Sequence, residues 1–492
     1  MRNSLLHQLN VRGRAFAAVG GLLAAPLLWG AAVAPAPAAG GFCSMDGQPG
    51  LVTNRWIGSG GGLWVDDANW STGSAPNMLD GDTAYACINA GGTVRMREGE
   101  SANMQAIDVA AGTTLQLDTG SMLYVEGDQS TRPSTVRRGA TVNLLGTLGG
   151  PGRINLAGHL TWTSTRFGAS TITTRKCALF ATNDPDVCDS AVSGPPGLLS
   201  VRDTGTLRIP GRGVNLFDEY QLEVRGAVRL AGAEAYVAAD RGTAVELRPQ
   251  LDGTGVGRLV IANDGGWYEG RTRNGLNDLS TFVNEGLLLK RGTSGTSVIA
   301  ASYERVGGGA VRVVTGTLAL PAKTDQPVDV SPESTYGSGR CGDGAGAGYG
   351  CQPVTFARDK QLASLQVPAQ DADGATVTLD ELAPSTATTL GVPLRVHAEG
   401  LVASRVAPAR LLMRYDATIL AERTWEDLNV LRRADGTRAY RLVLACLGDG
   451  RPPLGSVACV DRRGLTGSSR TLNGGDVVMV IRTTATSRWV AR

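Results

Sequence analysis

Between residues 91 and 321 the chain alternates apolar and polar side chains in runs of four to six, and a Gly-Thr or Gly-Ala turn opens each run. Examples are Gly92-Thr-Val-Arg-Met96, Gly112-Thr-Thr-Leu-Gln-Leu117, Gly139-Ala-Thr-Val-Asn-Leu144, Gly205-Thr-Leu-Arg-Ile209, Gly226-Ala-Val-Arg-Leu230, Gly242-Thr-Ala-Val-Glu-Leu247 and Gly316-Thr-Leu-Ala-Leu320. A period of two puts one side of a strand in a core and the other in water. Glycine marks corners that need a positive φ or have no space for a Cβ. Short strands divided by turn residues, with no helical pattern between them, predict stacked coils of β-structure. Such a solenoid offers a long rigid surface and need not carry a reaction centre.

The pattern changes near residue 374. Val377–Leu379, Thr389–Val396, Ala409–Tyr415, Leu428–Leu431, Tyr440–Leu444 and Asp476–Ile481 read as strands with longer, non-repeating spacers, which predicts a compact β-sandwich. Residues 323–373 separate the two patterns and contain the glycine-rich run from Tyr336 to Cys351. Such a run buries too little side chain to fold alone and reads as a linker or stapled loop. Excursions from the coils are expected at 175–196 and 263–280.

Residues 40–90 have a signature of their own: Trp56-Ile-Gly-Ser-Gly60, Leu63-Trp-Val-Asp-Asp-Ala-Asn-Trp-Ser71, Ala75-Pro-Asn77 and Asp80-Gly-Asp82. It resembles the tryptophan-rich segment that opens many secreted bacterial β-solenoid proteins. Two later phrases, Gly146 to Trp162 and Thr281 to Gly292 continuing to Leu320, are similar to rungs of the same surface proteins. Glu304 to Gly307 departs from the rung pattern, which leaves one turn without its stacked asparagine. The resemblance implies a right-handed parallel β-helix whose tryptophans seal the first coil, and it transfers no catalytic residue. Leu411 to Asp416, Val430 to Gly436, Gly475 to Val480 and Ser487 to Trp489, with Cys446 and Cys459, resemble a C-terminal module of secreted actinobacterial-type proteins. The expected fold is therefore all-β: a signal peptide over 1–39, a cap over 40–90, a β-solenoid over 91–322, a linker over 323–373 and a β-sandwich over 374–492.

The signal peptide rests on Arg2, Arg12 and Arg14, an apolar stretch broken by glycine and proline, and the small-residue run that ends at Ala39. A retained membrane anchor is the alternative. Removing 1–39 takes away three of the 47 basic residues and no acidic one, leaving 44 Lys+Arg against 45 Asp+Glu. A balanced chain gives no case for nucleic-acid binding or polybasic membrane attachment, and its scattered charges read as solvated strand faces. Cys43 with Cys87, Cys177 with Cys188, Cys341 with Cys351, and Cys446 with Cys459 form the simplest of about a hundred pairings. Disulfides suit an extracellular or cell-surface protein.

Catalytic chemistry is thinly represented. After cleavage only His159 and His397 remain, both on strand-like runs, and no nucleophile elbow, P-loop or metalloprotease motif occurs. Carboxylates at Asp66 with Asp67, and at Asp218 with Glu219, suit turn bonding and opposite strand faces better than a paired acid and base. No cofactor is expected; the metal candidate is calcium, on Asp184, Asp186 and Asp189 of the Cys177–Cys188 loop, against a plain solvated acidic loop. Trp267 and Tyr268 are the binding candidates, by stacking on a sugar ring or by packing against the coil wall. The favoured role is a non-catalytic scaffold or adhesin-like binder whose partner is a glycan or envelope polymer. A β-helix enzyme that degrades polysaccharide is the alternative, and an inhibitor or accessory domain is a third class.

Overall fold

The alternating runs stack in parallel, each strand pairing with the equivalent strand one coil away and not with its neighbour in sequence. A computed structural model describes Cys43 and residues 53–77, 85–89, 91–127, 133–163, 170–173, 196–218, 220–232, 234–240, 243–269, 280–299, 301–320, 324–330, 335–338, 361–368, 375–382, 390–415, 417–464, 468–471 and 477–492. Three sheets wall the coil. The first runs through ten parallel strands, from Thr53–Arg55 by way of Arg153–Leu156 and Tyr220–Val224 to Ser302–Arg305. The second begins at Gly61–Leu63 and Gly92–Met96 and passes through Thr206–Ile209, Ala227–Leu230, Arg258–Ile261, Leu287–Lys290 and Ala310–Val313. The third links Ser101–Met104 to Trp267–Glu269, and a parallel bridge from Trp267 to Ile299 joins it to Thr296–Val298 and Thr317–Leu320. This is a β-helix.

Its core is a set of ladders that the sequence phase dictates. Val94, Leu115, Val142, Leu160, Leu207, Val228, Leu259, Leu288 and Val311 are partners from coil to coil along the second sheet, and all are buried. Removing most of one such side chain, as in Leu207→Ala, costs about 3 kcal/mol in a core of this kind. The corner glycines serve two needs. Gly139 takes φ +82°, while at Gly205 a Cβ would lie 2.0 Å from the carbonyl oxygen of Leu156 in the next coil.

One ladder holds a charge. Lys290 lies between Ile261 and Val313 and is fully buried. Its Nζ donates to the carbonyl oxygen of Asn263 at 2.5 Å, to Thr293 Oγ1 at 2.6 Å and to Asp264 Oδ1 at 3.2 Å. Burial pulls its pKa below the ordinary lysine value, and Asp264 only partly restores it. Asn284 closes a neighbouring turn by donating to Tyr303 Oη and to the Ala310 carbonyl. Its partner in the next coil is Arg305, so that coil has no asparagine at the departure expected from the sequence.

At the N-terminal end Trp56, Trp64 and Trp70 are each 1% exposed and meet edge to face, with ring centroids 5.1 and 4.9 Å apart. Trp70 Nε1 donates to the carbonyl oxygen of Trp64 at 2.7 Å, which supplies the polar partner a buried indole needs. Asp66 and Asp67 bond turn backbone, accepting from the amides of Ala68 and Ala75. The cap segment is not separate from the coil, since Thr53–Arg55 and Tyr85–Ile88 are rungs of the first sheet.

At the other end the coil does not stop at a linker. Thr324–Val330 adds to the second sheet and Thr335–Ser338 to the third, both parallel. Each sheet then continues with antiparallel strands. The second takes up Ala375–Glu381, Leu390–Glu399, Ser487–Ala491 and Val430–Arg433. The third takes up Gln361–Gln366, Ala409–Tyr415, Val477–Thr483 and Ala458–Val460. Leu365, Leu411, Met413, Ile481, Val396 and Trp489 face inward, and one apolar cluster runs unbroken from Trp56 to Ala491. The β-sandwich is thus built on the coil's own sheets and covers edges that would otherwise expose unpaired backbone.

Candidate binding faces

Strands whose alternate residues fill the core must turn the residues between them outward, so each wall of the coil carries a charge pattern set by sequence phase. On the first sheet the outward residues form closed ion-pair sets. Asp108, 1% exposed, accepts from Arg137 Nε at 2.8 Å and Nη2 at 2.5 Å, and also from the amide of Cys43. These bonds lift the Arg137 pKa above its usual value despite the partial burial that opposes it. Further along, Glu223 binds Arg225 at 2.7 Å and lies 3.7 Å from Arg153, while Ser200 Oγ donates to it. Burial lowers the pKa of the adjacent Arg202, and Arg153 and Arg225 push it the same way against the pull of Glu223. Arg248 then joins Glu246 and Glu285 at 2.7 and 3.1 Å. Asp108, Glu223, Glu246 and Glu285 are thus committed to arginines, whereas Glu304, further along the same row, is exposed and pairs with no described residue.

The second sheet differs. Arg208, Arg229, Val260, Leu289 and Arg312 are partners in adjacent coils and lie on its outer side, with Arg258 in the next outward row. All four arginines are exposed, and none bonds or pairs with another described residue. Toward the N-terminal end the same side presents Gln116, Asn143, Thr161 and the exposed His159, and there Arg95 is paired with Asp118. The sequence carried a signal for this column: Gly205-Thr-Leu-Arg208 and Gly226-Ala-Val-Arg229 place arginine at the same step of the repeated phrase. Stacking the phrases would have stacked the charges, which a reading of singly scattered residues missed.

The residues singled out from sequence fall elsewhere. Trp267 is not a stacking platform: it is 1% exposed, belongs to the core cluster, and lies opposite Val237 in the third sheet. Its indole fills the coil because residues 263–269 continue the wall instead of leaving it, and Tyr268 follows in that strand. Asn263 holds the corner by donating to the carbonyls of Gly232 and Ala235. Asp218 ends the strand Arg212–Asp218, and Glu219 lies outside the described residues. So do Asp184, Asp186 and Asp189, together with Cys177, Cys188, Cys341 and Cys351. Among the described residues no group of three or more His, Cys, Asp or Glu is arranged to hold a metal ion. His397 is exposed, 3.7 Å from Glu399. Disulfides Cys43–Cys87 and Cys446–Cys459 are formed as the sequential pairing expects.

A third charged group sits in the C-terminal module. Asp461 is fully buried and accepts from Arg463 and Arg482, each at 2.8 Å. Burial pushes its carboxyl up, but the two guanidinium groups outweigh that and hold it below the usual carboxylate range. Among the described residues no helix is long and apolar enough to cross a membrane. No family model, curated protein or solved structure matches this chain.

Proposed function

We propose that the chain is an exported, non-catalytic scaffold that binds a glycan or envelope polymer along the wall of its β-helix. The observation that carries this reading is the contrast between walls. The first sheet pairs Asp108, Glu223, Glu246 and Glu285 with arginines, whereas the second leaves a column of exposed guanidinium groups without a partner among the described residues. Unpaired donors set in register on a rigid sheet suit recognition of an extended ligand, since no backbone ordering is left to the binding step. Carboxylates already held by arginine are poor proton donors and poor bases, which argues against the acid–base pair of a glycoside hydrolase. Export is supported by the leader-like first 39 residues and by disulfides that close segments of 44 and 13 residues.

The test is a glycan array probed with the mature protein, run beside a depolymerisation screen on the polymers that bind. The reading expects saturable binding and no chain shortening. Release of oligosaccharides would establish the β-helix enzyme instead.

A further inference from the structure

We infer that the outer side of the second sheet is a binding track for a polyuronate, a polysaccharide bearing a carboxylate on each sugar. The inference rests on the binding reading above and names its ligand class. Arg208 and Arg229 are register partners, so their positions are one strand spacing apart, about 4.8 Å. Arg312 lies in the same row three coils further on, and Arg258 flanks it one outward position away. Four positive charges thus lie along five consecutive coils, over about 19 Å at that spacing. Like charges placed side by side across strands repel. On the first sheet Glu223, Glu246 and Glu285 offset much of that repulsion at the neighbouring positions. Here no described acidic side chain fills that role, and the track is electrostatically incomplete until an anion lies on it.

Three features select an acidic glycan over other polyanions. A pyranose advances a chain by about one strand spacing, so carboxylates that face the sheet recur at multiples of the coil spacing, as the arginines do. Each guanidinium can hold a carboxylate with two parallel hydrogen bonds. Leu287 and Leu289 lie between the arginines on the same face, half-buried, and give the C–H faces of sugar rings an apolar bed. A single-stranded nucleic acid needs exposed aromatic rings on which bases stack, and the described residues of these five strands' outer side include none.

The experiment measures binding of the full mature chain to alginate, to its propylene glycol ester, to dextran and to single-stranded DNA. Two triple variants are compared with the parent. One is Arg208→Ser, Arg229→Ser, Arg258→Ser on the track. The other is Arg97→Ser, Arg438→Ser, Arg441→Ser, exposed arginines elsewhere with the same change in net charge. Near-UV circular dichroism verifies that each is folded, and Arg229→Ser alone is the smaller second variant. The track triple should weaken alginate binding at least tenfold, the single variant about threefold, and the control triple less than twofold. The ester, which keeps the backbone and loses the charges, should bind at least tenfold more weakly than alginate. Equal loss in both triples, tight binding of the ester, or DNA binding as strong as alginate would overturn the track. Binding to dextran that the track triple leaves intact would overturn it while sparing the wider reading. No binding to any glycan would remove both.

Discussion

Two walls of one coil are built from the same phrase and finished differently. On the first sheet the outward positions hold Asp108, Glu223, Glu246 and Glu285 beside Arg137, Arg153, Arg225 and Arg248, and every one is paired. On the second sheet Arg208, Arg229, Arg258 and Arg312 stand on outward positions with no acidic partner among the described residues. The backbone cannot be the cause, because both walls are parallel ladders that bury apolar side chains on their interior sides. The difference lies in side-chain chemistry alone. A wall that closes its own ion pairs stiffens the coil, and a wall that leaves them open keeps its charge for something else.

Substitutions should break the two walls in opposite ways. Asp108→Ala strands Arg137 and removes an acceptor for the amide of Cys43, so it should cost about 3 kcal/mol in urea denaturation. The C-terminal module repeats the closed arrangement at Asp461, where the lowered pKa fixes the sign of an acid effect. Its stabilisation is complete above the unfolded carboxylate value of about 3.9 and is lost as the pH falls through the lower folded value. Asp461→Asn should cost about 2 kcal/mol at neutral pH and remove that part of the acid sensitivity, read from thermal midpoints between pH 7 and pH 2. Glu223→Ala leaves Arg153, Arg202 and Arg225 facing one another and should cost about 1 kcal/mol. By contrast, the double change Arg208→Ala, Arg229→Ala should move stability by less than about 0.5 kcal/mol, with any shift toward greater stability because two like charges are separated. A loss comparable to that of Asp108→Ala would mean that the second wall is structural as well.

Much of this architecture could be read from the chain. Val94, Leu115, Leu144 and Leu207 announce their inward direction by alternation alone, and all four are buried in ladder positions. The cap was legible in Trp56, Trp64 and Trp70, since an open coil end needs large apolar cover. The union of coil and sandwich was harder to see. Thr324–Val330 and Gln361–Gln366 are strands only because a sheet edge is there to receive them, and their own sequence, with Pro327 among them, argues weakly for it. Trp267 misled for a related reason: beside a glycine-rich loop it reads as exposed, yet the coil continues through it. The open arginine column was hidden because a linear reading sees each charge alone, whereas Arg208 and its register partner Arg229 lie 21 residues apart.

The most direct measurement is the rate at which phenylglyoxal modifies each arginine of the native chain, followed by peptide mass mapping. Arg208, Arg229, Arg258 and Arg312 should react first, well ahead of Arg137, Arg153, Arg225 and Arg248, whose guanidinium groups are held by carboxylates. Equal rates for the two sets would contradict the division between a closed wall and an open one.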